Sequence, residues 1–350
     1  MSVDAKFRLL IVRLGAMGDI LHALPAVTAL RLAHPDWVVG WAVEPRWQGL
    51  LRASTGVSER SDGMPLVDRI HLVDAKRWAR RPLHPETLAD IGRVRRELRA
   101  VKYDICVDLQ GAVRSAMIGR FAGAARMVGE DRPREGAARW LFGERVATTG
   151  RHVIEQAVEV ANAVAGERLR PVPPLLPWDC GAEDWVDSLG LSSRVAVVNP
   201  GAGWGAKRWP AARYGLVAKG LAALGYGVVV NTGPEERELG AEVVAASGGL
   251  AVPVSPSLGE LIALTRRCSL MVAGDTGPLH LACALGKPVV GVFGPTDPER
   301  NGPFGCEFRV LRHPESRRDH SRRSEPEAGL LTIAPDEVLA AAEDLLKERV

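Results

Sequence analysis

The stretch Met271–Pro298, MVAGDTGPLHLACALGKPVVGVFGPTDP, leaves a folding chain few options. Met271-Val272-Ala273 form a short apolar strand that breaks at Gly274-Asp275-Thr276-Gly277, and Pro278 suits the first turn of a helix, where a missing N–H costs nothing. Leu279, Ala282, Cys283 and Leu285 fill a short helix that stops at Gly286. Val289–Phe293 is a nearly continuous apolar run, the mark of a parallel strand covered on both faces. Strand, loop, helix and strand make one α/β crossover whose two loops open on the same sheet edge. Open parallel sheets hold ligands beyond the carboxyl ends of their strands, so Asp275, Thr276, Gly277, His280 and Thr296 are candidate ligand contacts. Two plainer roles stay open: Asp275 and Thr276 as helix caps, and His280 as a core or supporting histidine.

The same grammar repeats along the chain. Phe7–Val12 reads as a strand, Arg13–Asp19 as a loop and Ile20–Leu32 as a helix that Pro25 interrupts or bends. Strands are expected at Val38–Val43, Ile70–Val73 and Tyr103–Leu109, with a helix between the last two burying Leu88, Ile91, Val94, Leu98 and Val101. Repeated strand, loop and helix argue for a parallel sheet with right-handed crossovers. A helix over Arg151–Gly166 precedes the proline-rich run Arg170–Pro177, where a domain boundary is expected. The pattern then restarts: strand Arg194–Asn199, glycine loop Pro200–Pro210, helix over roughly 211–224, strand Val228–Asn231 and loop Thr232–Glu236. Ser257 and Glu260 form a capping-box signature, and Pro335–Lys347 is an amphipathic helix. The expected division is an N-terminal Rossmann-like domain over 1–170, a linker over 171–190, a second such domain over 191–333, and a last helix, 334–350, free to pack back on the first domain.

Composition narrows the function classes. At 46% hydrophobic and 25% charged, 350 residues suffice for two ordinary cores. A formal charge of +3 with six Phe and three Tyr offers no platform for nucleic acid. Five cysteines show no CxxC pair and no zinc spacing, and are most simply buried thiols. No apolar run is long enough to span a bilayer and the N-terminus carries no export signal, so a cytoplasmic protein is expected.

Gly15-x-x-Gly18 lacks a full dinucleotide fingerprint, and Gly201-x-Gly203-x-Gly205 leads to Lys207 rather than to the Gly-Lys-Ser/Thr of a P-loop, which disfavours dehydrogenases and P-loop ATPases. What the second half offers is a glycine loop bearing Gly203, Lys207 and Arg208, together with the helix start at Thr276-Gly277. Backbone N–H groups and a cation can grip a diphosphate and stabilise the charge that develops on it as a leaving group. Glu235 or Glu236 could add a hydrogen bond to a sugar; solvated charges beside turns are the plain alternative for all four side chains. In the first half Asp19 is the well-placed carboxylate. It could take a proton from an attacking hydroxyl or simply cap the following helix, and residue chemistry leaves the two readings even. Arginines from Arg114 to Arg139, Arg134 among them, suit an anionic acceptor, although each one singly reads as a surface charge.

Four stretches together resemble the lipopolysaccharide heptosyltransferases of glycosyltransferase family 9: LLIVRLGAMGDILHALPAV at 9–27, YDICVDLQGAVRSA at 103–116, NPGAGWGAKRWP at 199–210 and VAGDTGPLHLACALGKPVVGVFGPTDP at 272–298. The resemblance runs through nearly the whole chain. It implies α/β GT-B architecture, two Rossmann-like domains facing across a crevice, and an inverting, metal-independent transfer of heptose from an ADP-sugar to the inner core of lipopolysaccharide, with no resident cofactor. It implies Asp19 as base and Lys207 as the phosphate-contacting lysine. Gly203, Arg208, one of Glu235 and Glu236, Asp275, Thr276, Gly277, His280 and Thr296 then fall on the donor side. Gly18, Gln110, Arg114 and Arg134 fall near the acceptor. The first heptosyltransferase type, acting on a Kdo sugar linked to lipid A, is nearer than the second, whose loop usually reads PGAEFGPAKRWP where this chain has the shorter PGAGWGAKRWP. A monomer attached peripherally at the inner membrane is expected. The competing readings are another family 9 transferase, with a different acceptor or nucleotide sugar, and a two-lobe sugar-binding protein without turnover.

Overall fold

The computed structural model describes residues 6–54, 59–318 and 323–347. The chain divides into two units, Met1–Trp178 and Asp179–Val350. Each is built on a six-stranded parallel sheet.

In the first unit the strands are β1 (Arg8–Val12), β2 (Val38–Val43), β3 (Arg69–Leu72), β4 (Ile105–Asp108), β5 (Arg126–Glu130) and β6 (Glu144–Val146), in the order β3-β2-β1-β4-β5-β6. Register follows the apolar runs, with Leu10 opposite Gly40 on one side and Cys106 on the other. Leu9 to Val12 are fully buried, as a strand covered on both faces requires. Gly40 is fixed by close approach, because a Cβ there would lie 1.8 Å from the Tyr103 hydroxyl.

That hydroxyl meets His71 Nε2 at 2.7 Å inside the core. Burial pulls the His71 pKa down to about 4, opposed by the Glu97 charge and helped by Arg69, so the ring is neutral at pH 7. The unfolded ring, with a pKa near 6.5, binds its proton first. Stability from this site is therefore complete above about pH 6.5 and is lost as pH falls towards 4. We expect denaturant midpoints to drop over that window in the native protein and to be flatter there in His71→Gln; parallel curves would refute the assignment.

The helix Met17–Ala33 begins three residues earlier than the sequence suggests and runs unbroken through Pro25. Every residue from Ile20 to Arg31 is buried and the helix lies against Val153–Ala165, so packing outweighs the roughly 3 kcal/mol that an internal proline costs. On the helix Pro85–Val101, Val94 and Leu98 are buried as expected, but Leu88 is exposed and Thr87 takes its place.

The second unit repeats the plan with β7 (Val195–Asn199), β8 (Gly227–Asn231), β9 (Ala251–Val254), β10 (Leu270–Gly274), β11 (Val289–Phe293) and β12 (Phe308–Arg312), ordered β12-β11-β10-β7-β8-β9. Read from β9, this is the same order as in the first unit, and in both the direction of winding reverses beside the first strand. One face is covered by Ala211–Ala223 and Pro335–Lys347, centred on Trp209, Tyr214, Leu221 and Val338. The other packs Leu279, Ala282, Leu264 and Phe293.

The last helix, Pro335–Lys347, belongs to the second unit, with Val338, Ala342, Leu345 and Leu346 buried in its core. The expected linker is shared out, because residues up to Trp178 group with the first unit while the helix Cys180–Ser188 is held to Leu258–Arg267 by Glu183, which pairs with Arg266 at 3.3 Å and Arg267 at 3.1 Å. The arginine-rich run 312–323 lies partly outside the described residues. Among those described, no helix is long and apolar enough to cross a membrane.

Candidate functional site

In the second unit the winding reverses between β7 and β10, and the loops leaving these two strands carry most of the expected residues. The β7 loop closes on Gly205–Lys207, a single 3-10 turn. It is held in place from the C-terminal segment: Ala206 N–H donates to the Arg323 carbonyl at 3.1 Å, Glu327 N–H donates to the Ala206 carbonyl at 3.2 Å, and a Cβ on Gly205 would lie 1.6 Å from the Ser324 oxygen.

From this turn Lys207 reaches Asp275, the first residue after β10, in a close ion pair with Oδ2, while its Nζ lies 4.3 Å above the Trp204 ring. The other oxygen, Oδ1, meets His280 Nε2 at 3.1 Å. Burial alone would raise the Asp275 pKa; the His280 hydrogen bond and the Lys207 charge overcome it and hold the carboxyl well below the usual range. Asp275 is therefore no helix cap. Thr276 is the N-cap residue of Gly277–Ala284, yet its hydroxyl turns back to the Gly274 carbonyl at 3.3 Å and leaves the first N–H groups of the helix without a side-chain cap. Beyond β11, the Thr296 hydroxyl is buried with no hydrogen-bond partner among the described residues.

Of the two glutamates, Glu236 is the one turned against the β7 loop: it accepts from Gly233 N–H at 2.9 Å, and a Cβ on Gly201 would lie 2.4 Å from its Oε2. Glu235 is exposed, as are Arg208 and Gly203. The pattern gave no warning of Asn199 and Asn231, whose side chains join at 2.7 Å beneath the loops, with Asn199 Nδ2 reaching the Gly201 carbonyl at 3.2 Å. Asparagine at the last position of two neighbouring strands was the available signal.

In the first unit the winding reverses between β1 and β4. Asp19 does not sit in a loop but in the first turn of Met17–Ala33, where Oδ2 accepts the Ala16 N–H at 3.1 Å. The capping role is thus real. It is not the whole role, since Arg13 pairs with Oδ1 at 3.1 Å and a third or so of the side chain stays open to solvent. Arg13, on which no site role was placed, is the missed residue here; it lies inside the VRLGAMGD motif. Gln110 is buried and its Oε1 accepts the Leu14 N–H at 2.8 Å, tying the β4 loop to the β1 loop. Gly18 is half-buried in the first helical turn, and Arg114 and Arg134 are exposed. Gly111, at φ +66°, brings the backbone so close to Arg134 that a Cβ would stand 2.9 Å from its nitrogen.

A family model, glycosyltransferase family 9 (heptosyltransferase), matches residues 91–330. Lipopolysaccharide heptosyltransferase 1 of Pseudomonas aeruginosa is 30% identical over 85% of this chain and 81% of its own length. The chain belongs to glycosyltransferase family 9. Among its family 9 relatives, lipopolysaccharide heptosyltransferase 1 of Escherichia coli is 30% identical over 88% of this chain and 94% of its own, and lipopolysaccharide heptosyltransferase 2 of Escherichia coli is 28% identical over 61% of this chain and 66% of its own. In fold, the chain is similar to the Escherichia coli heptosyltransferase WaaC solved with ADP, at 24% identity and a TM-score of 0.79 across 97% of this chain and 100% of that one. The GT-B class expected from sequence is the class found.

Proposed function

We infer that the protein transfers L-glycero-D-manno-heptose from its ADP-sugar, with inversion, to the Kdo sugar of a lipid A-linked core. The observation that carries the donor half is the Lys207–Asp275–His280 cluster where the winding of the second sheet reverses, beside an uncapped helix start. A cation and free N–H groups at that position suit a diphosphate, and they supply the positive charge that a leaving nucleotide needs without calling on a metal. The Thr296 hydroxyl, without a hydrogen-bond partner among the described residues, suits a ligand oxygen, and Glu236 a sugar hydroxyl.

On the acceptor side Asp19, fixed by Arg13 and partly open, is the proposed base that removes the hydroxyl proton as oxygen attacks the anomeric carbon and the carbon–phosphate oxygen bond breaks. Direct displacement with one base inverts that carbon. Gln110 in the β4 loop, Arg114 in the helix that follows it and Arg134, whose backbone lies against Gly111 of the same loop, are assigned to the anionic acceptor. The family and the heptosyltransferase 1 relatives support this reading over a binding protein without turnover.

Two assays test it. Turnover of ADP-heptose with a Kdo–lipid A acceptor is expected to exceed turnover of other nucleotide sugars, or of acceptors already bearing a heptose, by at least tenfold; preference for either rival would overturn the donor or the acceptor assignment. EDTA is expected to leave the rate unchanged, and a loss restored by a divalent cation would overturn metal independence.

A further inference from the structure

Asp108 ends β4 one strand away from the β1 loop, with its carboxyl buried. Oδ1 accepts two backbone N–H groups, Gln110 at 2.8 Å and Gly111 at 2.7 Å. Oδ2 is buried with no hydrogen-bond partner among the described residues. A buried carboxylate half-satisfied in this way is expensive, and the turn it organises would fold with an asparagine in its place.

That turn has a second set of contacts. The Leu109 carbonyl accepts from Arg13 Nη1, and Gln110 Oε1 accepts the Leu14 N–H at 2.8 Å. Arg13 in turn grips Asp19 twice, at the carboxylate through Nη2 and at the backbone carbonyl through Nε, each at 3.1 Å. An unbroken chain of contacts therefore runs from Asp108 through the 109–111 turn and Arg13 to Asp19.

We propose that Asp108 is a positioning residue for the transfer step, its negative charge and its two N–H contacts holding the turn that fixes Arg13 and, through Arg13, the attacking geometry at Asp19. It touches no substrate. The inference rests on Asp19 being the base.

The groups facing Asp108 are Arg13 from the β1 loop, the Cys106 thiol on its own strand and the Ser115 hydroxyl on the helix Val113–Ala122. Burial pushes the Asp108 carboxyl up to about 6, against the Gly111 and Gln110 N–H groups, Ser115 and Arg13, which favour the charged form. Above that value the carboxyl is ionised and the grip is complete. As pH falls through about 6 the charge is lost and with it the hold on Arg13.

The test is the pH dependence of kcat at saturating donor for the native protein and Asp108→Asn. The native rate is expected to show an acid limb near pH 6 that has no counterpart in ADP affinity. Asp108→Asn is expected to behave as a permanently uncharged form: about tenfold slower at pH 8, without that limb, unchanged in ADP affinity, and with a melting temperature no lower than the native one. A variant with native kcat and the native limb overturns the proposal, and so does a native profile that is flat between pH 5 and 7, a result that does not depend on the variant folding. Asp19→Asn at full rate would remove the base reading instead; an inactive Asp19→Asn beside an unaltered Asp108→Asn removes only this inference.

Discussion

Asp19→Asn is expected to transfer heptose between about 10² and 10⁴ times more slowly than the native protein, the range that a positioned general base contributes. The amide is isosteric and can still accept the Ala16 N–H through its carbonyl oxygen, so the helix start survives and the melting temperature should hardly move. Loss of the charge removes the proton acceptor and the ion pair with Arg13 together. Affinity for ADP should stay as it was, because the residues proposed to hold the donor lie in the second unit, between 199 and 297. Single-turnover rates with lipid acceptor separate the outcomes: a fall in kcat with unchanged ADP affinity supports the base, whereas a native rate leaves Asp19 as a cap and nothing more.

Lys207→Met is expected to damage both stability and donor capture. The ion pair itself is weak evidence of stabilisation, since burying two charges costs about as much as their attraction returns. Removing one partner is another matter. Asp275 would be left charged and buried with His280 alone, and breaking a buried pair in this way typically costs about 3–5 kcal/mol. Asp275→Asn/Lys207→Met should recover part of that loss by withdrawing the orphaned charge, yet bind ADP no better than Lys207→Met. Denaturant melts and ADP titrations of the single and double variants form the required cycle. Full recovery of ADP affinity in the double variant would show that Lys207 acts only on Asp275.

Acid should act on the same cluster. The Asp275 carboxyl titrates below its unfolded value, so its contribution is complete above about pH 3.9 and is lost as pH falls below that towards the folded value.

Much of this was legible from the chain. Apolar runs such as Val38–Val43 and Val289–Phe293 coincide with observed strands because a strand buried on both faces has no use for polar residues. The Pro278 helix start and the glycine-lined turn before Lys207 likewise declared their backbone geometry in their residue types. The edges were less visible. Ala251–Val254 carries Pro253, which an edge strand tolerates, and Phe308–Arg312 alternates charge with partly covered apolar groups, so neither has the composition of a central strand.

In the site, residue type named Lys207, Asp275 and His280 but could not pair them, since 68 residues separate the first two. The contact needs the β7 and β10 neighbourhood, which only the strand order supplies. Arg13 and Asp108 stayed hidden for a different reason: one reads as a strand-end charge and the other as a strand-end carboxylate, and their importance lies wholly in what they hold.

Each sheet takes its six strands from one uninterrupted half of the chain, and the halves part at a single point between Trp178 and Asp179. A recombination event at that point would exchange one complete ring of strand-end loops and leave every backbone ladder of the other intact. On the proposed division of acceptor and donor between the units, such an exchange alters one specificity in one step and keeps the other, a route of diversification closed to proteins whose sheets interleave distant segments.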